Sequence, residues 1–241
     1  MIDLHTHILP GIDDGSKSPE MSLEMLRMQA AQGVDTVVLT PHFYRNREHL
    51  DHYLERRRDA CIVLGKAIKA LPEEEQQTLP QLYLGCEVAW MPNMLDWDEL
   101  EQLCIGKTNF MLLELPFKPW SDDMIRQIYD LMGKRGIVPI IAHLERYWKD
   151  HEPAHLSEIL SMGVPIQVSV DPLLHPFQRS LEMKMLKHNQ AQFIASDCHN
   201  LTTRPPNLGQ GTAFIRKKFG DEMVTSMERR KRRILGLDPQ V

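Results

Sequence analysis

Residues 1–15 read Met1-Ile-Asp-Leu-His-Thr-His-Ile-Leu-Pro-Gly-Ile-Asp-Asp-Gly15. Ile2 and Leu4 carry a short apolar run into two histidines one residue apart, His5 and His7. Side chains at i and i+2 of an extended chain point to one side, so both imidazoles face the same way. Two neutral imidazoles aimed at one point suit a divalent metal of the Zn, Mn or Fe kind. Asp13 and Asp14 follow in a Gly-flanked loop, from which a carboxylate can fold back to that point. Taken alone, the stretch reads equally as a buried strand with two hydrogen-bonded histidines and a turn. The remaining strands have to decide.

Outward from this stretch, six more apolar runs follow: Asp35-Thr-Val-Val-Leu-Thr40 before Pro41-His42, Gln81-Leu-Tyr-Leu-Gly-Cys-Glu87, Asn109-Phe-Met-Leu-Leu-Glu114, Val138-Pro-Ile-Ile-Ala-His143, Ile166-Gln-Val-Ser-Val170 and Gln192-Phe-Ile-Ala-Ser-Asp197. Short, nearly continuous apolar runs suit strands buried on both faces, as in parallel sheets under helices. Helical segments separate them. Ser18-Pro19-Glu20 starts the first, with Met21, Met25, Leu26 and Met28 as its apolar stripe and Gly33 as its stop. Others are expected near 47–70, 97–104, 121–135 (Ser121 as N-cap, Gly136 as stop), 153–162, 176–189 and 208–235. Arg56, Arg57 and Arg58 read as a solvated helix face, and residues 72–80 as an exposed connection. Seven strands alternating with helices predict a single α/β domain over 1–241, either a parallel (β/α) barrel or a doubly wound sheet. Right-handed crossovers put every C-terminal strand end on one face.

At or just beyond six of those seven ends stand His5 and His7, His42, Glu87, Glu114, His143, then Asp197 and His199. Each has a bland explanation alone; coincidence across six strands is hard to accept. In a parallel barrel these ends converge at the mouth, where active sites sit. With Asp14 the set holds five histidines and four carboxylates, too many for one ion, which implies two or three. Mixed N/O ligands favour Mn, Fe or Zn over Mg or Ca. One division gives His5, His7 and Asp197 to one ion, Asp14, His42 and His199 to a second, and Glu114 and His143 to a third, with Glu87 bridging. A water held between such ions becomes hydroxide near neutral pH and can attack phosphorus. Arg146 and Arg204 lie close by in sequence, and guanidinium forks match phosphate oxygens. Metals plus arginines point to phosphoester hydrolysis.

Composition excludes more than it selects. The chain has 241 residues, 42% hydrophobic and 25% charged, and a formal net charge of −5, which argues against a general nucleic-acid binder. Four cysteines form no Cys-x-x-Cys pair, which fits a reduced, cytoplasmic setting. No leader pattern or long apolar run predicts a signal peptide or membrane insertion.

His5-Thr-His7 with Asp13-Asp14-Gly15, Thr40-Pro-His42, Gly85-Cys-Glu87, Leu113-Glu114, Ile141-Ala-His143-Leu-Glu-Arg-Tyr147 and Ile194-Ala-Ser-Asp197-Cys-His199-Asn200, followed by Arg204-Pro-Pro, resemble the PHP (polymerase and histidinol phosphatase) superfamily. Within it the chain is most similar to the bacterial metal-dependent protein-tyrosine phosphatases encoded with capsule and exopolysaccharide genes. The resemblance covers Met1 to about residue 225. It implies a distorted seven-stranded barrel and a trinuclear, often manganese-dependent site. It also implies a phosphotyrosine-protein substrate, the C-terminal tail of a bacterial tyrosine kinase that regulates polysaccharide export. The alternative is another PHP activity, a histidinol-phosphate or nucleotide phosphatase. Two departures from the pattern, Val168-Ser-Val-Asp171 and the basic run Arg229–Leu235, concern substrate contacts. Phe117 and Trp120 either flank the phosphotyrosine ring or pack their own loop.

Cys198-His-Asn-Leu-Thr-Thr-Arg204 also matches the Cys-x5-Arg pattern of thiol phosphatases. That chemistry needs a phosphate-cradling loop before a helix N-terminus and an inward thiolate. Here two prolines follow the arginine and no glycine sits in the loop. Cys198 is therefore expected to point away from the site.

Overall fold

A computed structural model describes residues 1–149 and 151–237. Its chain order is β1 (Ile2–Thr6), α1 (Pro19–Ala31), β2 (Thr36–Leu39), β3 (His42–Phe43), α2 (Leu50–Lys69), α3 (Glu73–Gln76), β4 (Gln81–Leu84), β5 (Glu87–Ala89) and β6 (Phe110–Glu114). Then follow α4 (Asp122–Arg135), β7 (Val138–Ile141), α5 (Pro153–Ser161), β8 (Gln167–Ser169), α6 (Val170–Leu174), α7 (Ser180–Lys187), β9 (Phe193–Ala195), α8 (Leu208–Phe219) and α9 (Asp221–Ile234). The caps read from sequence are present: Ser18 accepts from the Met21 N–H and Ser121 from the Met124 N–H, while Gly136 stops α4 at φ 65°.

All pairings are parallel, in three sheets ordered β1-β2-β4, β3-β5-β6-β7 and β8-β9. Isolated parallel bridges Thr6↔Cys198 and Ile141↔Ile166 stand at the seams between them. Among the described residues nine strands in three sheets, none closed on itself, stand where the sequence suggested seven. The extra two come from breaks within two of the runs. Pro41 has no N–H to give a ladder, so the run entering His42 divides into β2 and β3. Its neighbour divides at Gly85-Cys86, where a Cβ on Gly85 would crowd Ile105, Val38 and Thr40 at 3.2–3.3 Å. The pairing resumes beyond the break, the Glu87 N–H donating to the Pro41 carbonyl at 3.1 Å. This offset carries His42 and Glu87 past the ends of β2 and β4 and sets them side by side in register.

Several helical expectations need correction. Residues 97–104 hold only one short 3₁₀ turn, Leu100–Leu103, entered through left-handed Glu99, and another, Met94–Asp96, entered through left-handed Asn93, precedes them. The run 166–170 ends as a strand at Ser169, and Val170 already belongs to α6. The helix expected at 176–189 shortens to α7, and 208–235 breaks at Gly220, φ 87°, into α8 and α9. Arg57 is not solvated: it is buried and donates to the carbonyls of Gly85 (3.1 Å) and Gln102 (2.9 Å), bracing the break in the second run. Lys231, within the basic C-terminal run, is likewise buried and donates to Ile2 O at 2.8 Å, fastening α9 to β1. Among the described residues no helix is long and apolar enough to cross a membrane.

Candidate metal centre

β1 ends at Thr6, and the His7 N–H donates to Cys198 O at 2.9 Å, so the first and last strand ends deliver their side chains together. Four atoms then meet: His5 Nε2, His7 Nε2, Glu87 Oε2 and Asp197 Oδ1. Each histidine nitrogen lies 3.1 Å from Glu87 Oε2 and 3.3–3.4 Å from Asp197 Oδ1, and the two nitrogens are 3.1 Å apart. All four residues are buried, and neither carboxylate oxygen has a hydrogen-bond partner among the described residues. Two donor atoms each about 2.1 Å from one ion lie about 3.0–3.4 Å apart, which is the spacing observed. A cation at their centre would satisfy all four lone pairs at once.

Two further groups adjoin the first. His7, Asp14, His42 and His199 bring one ligand atom each within 4.8 Å of the others, as do His42, Glu87 and Glu114. Every one of the nine sequence candidates except His143 falls in at least one group. His143 touches the cluster through Glu87 Oε1 at 2.8 Å and lies 3.7 Å from Glu114 Oε1. The grouping departs from the expected division in two ways. His7 reaches two groups, and His42, not His143, completes the third. Glu87 belongs to two of the three groups, as do His7 and His42.

The electrostatics ask for cations. Burial and the neighbouring Glu87 charge push the Glu114 carboxyl up to about 7. Burial brings His42 down to about 4 and lowers His143, so both imidazoles are neutral and able to ligate. Burial opposes protonation of His5 and His7 too, but the Glu87 and Asp197 carboxylates outweigh it at His5, and Asp13 foremost, with Asp197 and Glu87, outweighs it at His7, so both are raised.

Three residues outside the expected ligand set, Asp13, Gln167 and Tyr147, aim the ligands. His7 Nδ1 is held by Asp13 Oδ2 at 2.7 Å, and His5 Nδ1 by Gln167 Oε1 at 3.1 Å. Gln167 Oε1 also accepts from the His143 N–H at 3.0 Å, and Tyr147 OH meets His143 Nδ1 at 3.3 Å. Such partners would fix the tautomer and leave Nε2 available to a metal. A glutamine inside the apolar run Ile166-Gln-Val was the available signal for Gln167; the other two contacts are not visible in spacing. Tyr44 was also missed: its hydroxyl stands 3.2 Å from His42 Nδ1 and 3.4 Å from Glu114 Oε2. His143 (φ 34°) and Asp197 (φ 52°) both adopt left-handed backbone immediately beyond a strand, a strain that functional sites retain.

Arg146 and Arg204 converge on Asp197 Oδ2, Arg204 at 2.6 Å, with a third of each side chain exposed. Both guanidinium groups thus sit at the open rim, on the oxygen of Asp197 that faces away from the four-atom knot.

Cys198 is fully buried behind the site, near Gln29 Nε2 at 3.8 Å, and burial raises its thiol well above the usual range. It supplies no thiolate at neutral pH. Cys198→Ser is expected to retain most phosphatase activity, within about threefold in kcat/KM; a dead variant with full metal content would return the thiol to the mechanism. Trp120 packs against its own loop and the residues beside it. It is 5% exposed, stacks on His151 at 4.0 Å and donates to Pro116 O. Phe117 is 61% exposed, its ring 5.0 Å from that of Tyr147. Asp171, in the divergent stretch, pairs with Asn207.

A family model described as capsular polysaccharide synthesis, CpsB/CapC, matches residues 1–234. Tyrosine-protein phosphatase CpsB of Streptococcus agalactiae serotype III (strain NEM316) is 30% identical over 238 residues, covering 94% of this chain and 94% of that protein. Tyrosine-protein phosphatase YwqE of Bacillus subtilis is 30% identical over 240 residues, 92% of this chain and 87% of the relative. A solved structure from work on YwqE of Bacillus subtilis and CpsB of Streptococcus pneumoniae, described as unique metal-dependent tyrosine phosphatases, superposes with a TM-score of 0.84 at 25% identity. The match covers 100% of this chain and 96% of that one.

Proposed function

This chain belongs to the CpsB/CapC family of capsular polysaccharide synthesis proteins, and from that premise we propose that it is a metal-dependent protein-tyrosine phosphatase. The observation that carries the reading is the knot of His5, His7, Glu87 and Asp197, in which two buried carboxylate oxygens without a hydrogen-bond partner among the described residues meet two imidazole nitrogens and ask for a cation. Our ligand set is His5, His7, Asp14, His42, Glu87, Glu114, His143, Asp197 and His199, holding two or three ions, manganese first and iron or zinc next. Bound ions would supply Lewis acidity and a nucleophile at neutral pH. Arg146 and Arg204 would turn from Asp197 to the incoming phosphate, exchanging one anionic partner for another at the exposed rim. Phosphotyrosine suits such a site: it carries about −2 charge, and its phenol, pKa ~10, leaves without a strong acid.

We read the three sheets as one distorted barrel of seven rows, β2 with β3 and β4 with β5 each forming a single interrupted row; the two seam bridges support this. A hydrophobic cluster running from Ile2 to Leu235 supports a single PHP-type domain. The free cysteines support a reducing, cytoplasmic setting, and the natural substrate in our reading is the tail of a capsule-regulating tyrosine kinase. The test is a side-by-side panel on manganese-loaded protein: a phosphotyrosine peptide, histidinol phosphate and nucleotides. The peptide is expected to exceed the small metabolites at least tenfold in kcat/KM. Faster turnover of histidinol phosphate or a nucleotide would replace the proposed substrate.

A further inference from the structure

Beyond Glu114 the candidate site opens into a second space. Ala89, the last residue of β5, is in register with Glu114, the last of β6, and the Trp90 N–H donates to Glu114 O at 2.8 Å. The loops that continue from these paired ends, residues 90–92 and 115–121, form the two walls of a cleft of about 580 Å³. That volume falls within the range of about 300–1,000 Å³ typical of ligand sites. Trp90, Met91 and Pro92 face Phe117 and Pro119, with Met124 buried between them. Among the lining residues only Glu114 and Lys118 carry charge.

Two residues belong to both spaces. Glu114 lines the cleft while its Oε1 lies 3.7 Å from His143 Nε2. Tyr44 lines it too, and its hydroxyl faces His42 and Glu114. Arg47 covers the Tyr44 ring at 4.2 Å. The cleft is therefore continuous with the metal centre. A phosphoryl group held there puts the chain that carries it within reach of these walls. The mostly apolar lining and the 61% exposure of Phe117 leave apolar surface uncovered where that chain would pass.

We propose that this cleft binds an apolar side chain flanking the phosphotyrosine in a protein substrate, so that the enzyme discriminates by sequence context as well as by phosphotyrosine. The inference rests on the phosphatase reading above. The cleft acts as an anchor for the substrate chain: it lowers KM for peptides whose neighbouring residue is leucine or phenylalanine and contributes nothing to a phosphate ester lacking that residue. A charged neighbour would have to shed its water against Trp90, Met91 and Phe117 with no partner but Glu114 or Lys118.

The experiment compares three substrates on the manganese-loaded protein: p-nitrophenyl phosphate, a phosphotyrosine peptide flanked by leucine and phenylalanine, and the same peptide flanked by aspartate and glycine. The apolar-flanked peptide is expected to have the higher kcat/KM, by about tenfold, through KM. Phe117→Ala and, separately, Met91→Ala should each erase most of that preference, lowering kcat/KM for the apolar-flanked peptide at least fivefold more than for p-nitrophenyl phosphate. Phe117 is exposed, so its truncation leaves the core intact and keeps the test readable if the Met91 variant misfolds. Equal turnover of the two peptides, or variants that slow all three substrates alike, would overturn the cleft proposal while leaving the phosphatase reading standing. Loss of dimers on Phe117→Ala with no change in peptide preference would overturn it in favour of a second copy of the chain. Turnover of p-nitrophenyl phosphate with neither peptide cleaved would sink the phosphatase reading instead.

Discussion

Glu87→Gln is expected to lower phosphotyrosine hydrolysis on the order of a thousandfold, the scale on which buried sites lose rate when a group serving the transition-state charge is removed. The substitution keeps size and shape and changes one oxygen and one charge. Glu87 Oε2 stands 3.0–3.1 Å from His5, His7 and His42, and Oε1 stands 2.8 Å from His143. Among the described residues no other carboxylate reaches so many of the imidazoles. An amide nitrogen in place of either oxygen points hydrogens at lone pairs meant for a cation, and the remaining carboxylates then supply less negative charge than bound ions would require. Bound metal per chain should therefore fall with the rate. Wild-type protein stripped by a chelator is expected to lose activity to the same degree and recover it when manganese returns, whereas Glu87→Gln stays inactive under that treatment. A variant with full metal content and more than a tenth of wild-type activity would remove Glu87 from the centre of the site.

Gly15→Ala is expected to act without touching any ligand atom directly. Gly15 lies against His7: a Cβ placed on it would run into the carbonyl oxygen and the Cβ of His7, and lie 2.9 Å from Asp13 Oδ1. Two of these contacts are fixed by backbone position, so no rotamer change relieves them. The turn also presents the Gly15 N–H to Asp13 Oδ1 at 2.8 Å and the Ser16 N–H to His7 O at 2.9 Å. Asp13 in turn holds His7. Forcing the loop outward costs about 3 kcal/mol, the upper part of the usual overpacking range, or roughly 6–12 °C in Tm for a chain of this size. It also displaces His7 and its orienting carboxylate, and misplacement by about 1 Å can cost about a hundredfold in rate. Gly65→Ala is the matched control. Gly65 lies within α2 with open space where a Cβ would go, so the same substitution there should not lower Tm. Equal, small changes at both sites would show that the loop yields freely and that its close packing does not hold His7.

The residue types at the strand ends were legible from the sequence, because a short apolar run needs no context to declare where its buried segment stops. That is how His5, His7, Glu87, Asp197 and the others could be named as one set before any geometry existed. Two strand breaks were not legible, although they are what set His42 beside Glu87: Pro41 and Gly85 lie in separate runs, and only their pairing turns two local irregularities into one offset. The same holds for Arg57, whose charge reads as solvent-facing until α2 packs and delivers it to the carbonyls of Gly85 and Gln102. Asp13, Gln167 and Tyr147 become orienting partners only through contacts across the fold or around a turn. Periodicity and strand-end chemistry are local, written in neighbouring residues. Which lone pairs meet, and which charges are left without water, depends on where distant segments stop relative to one another, and that only the packed chain decides.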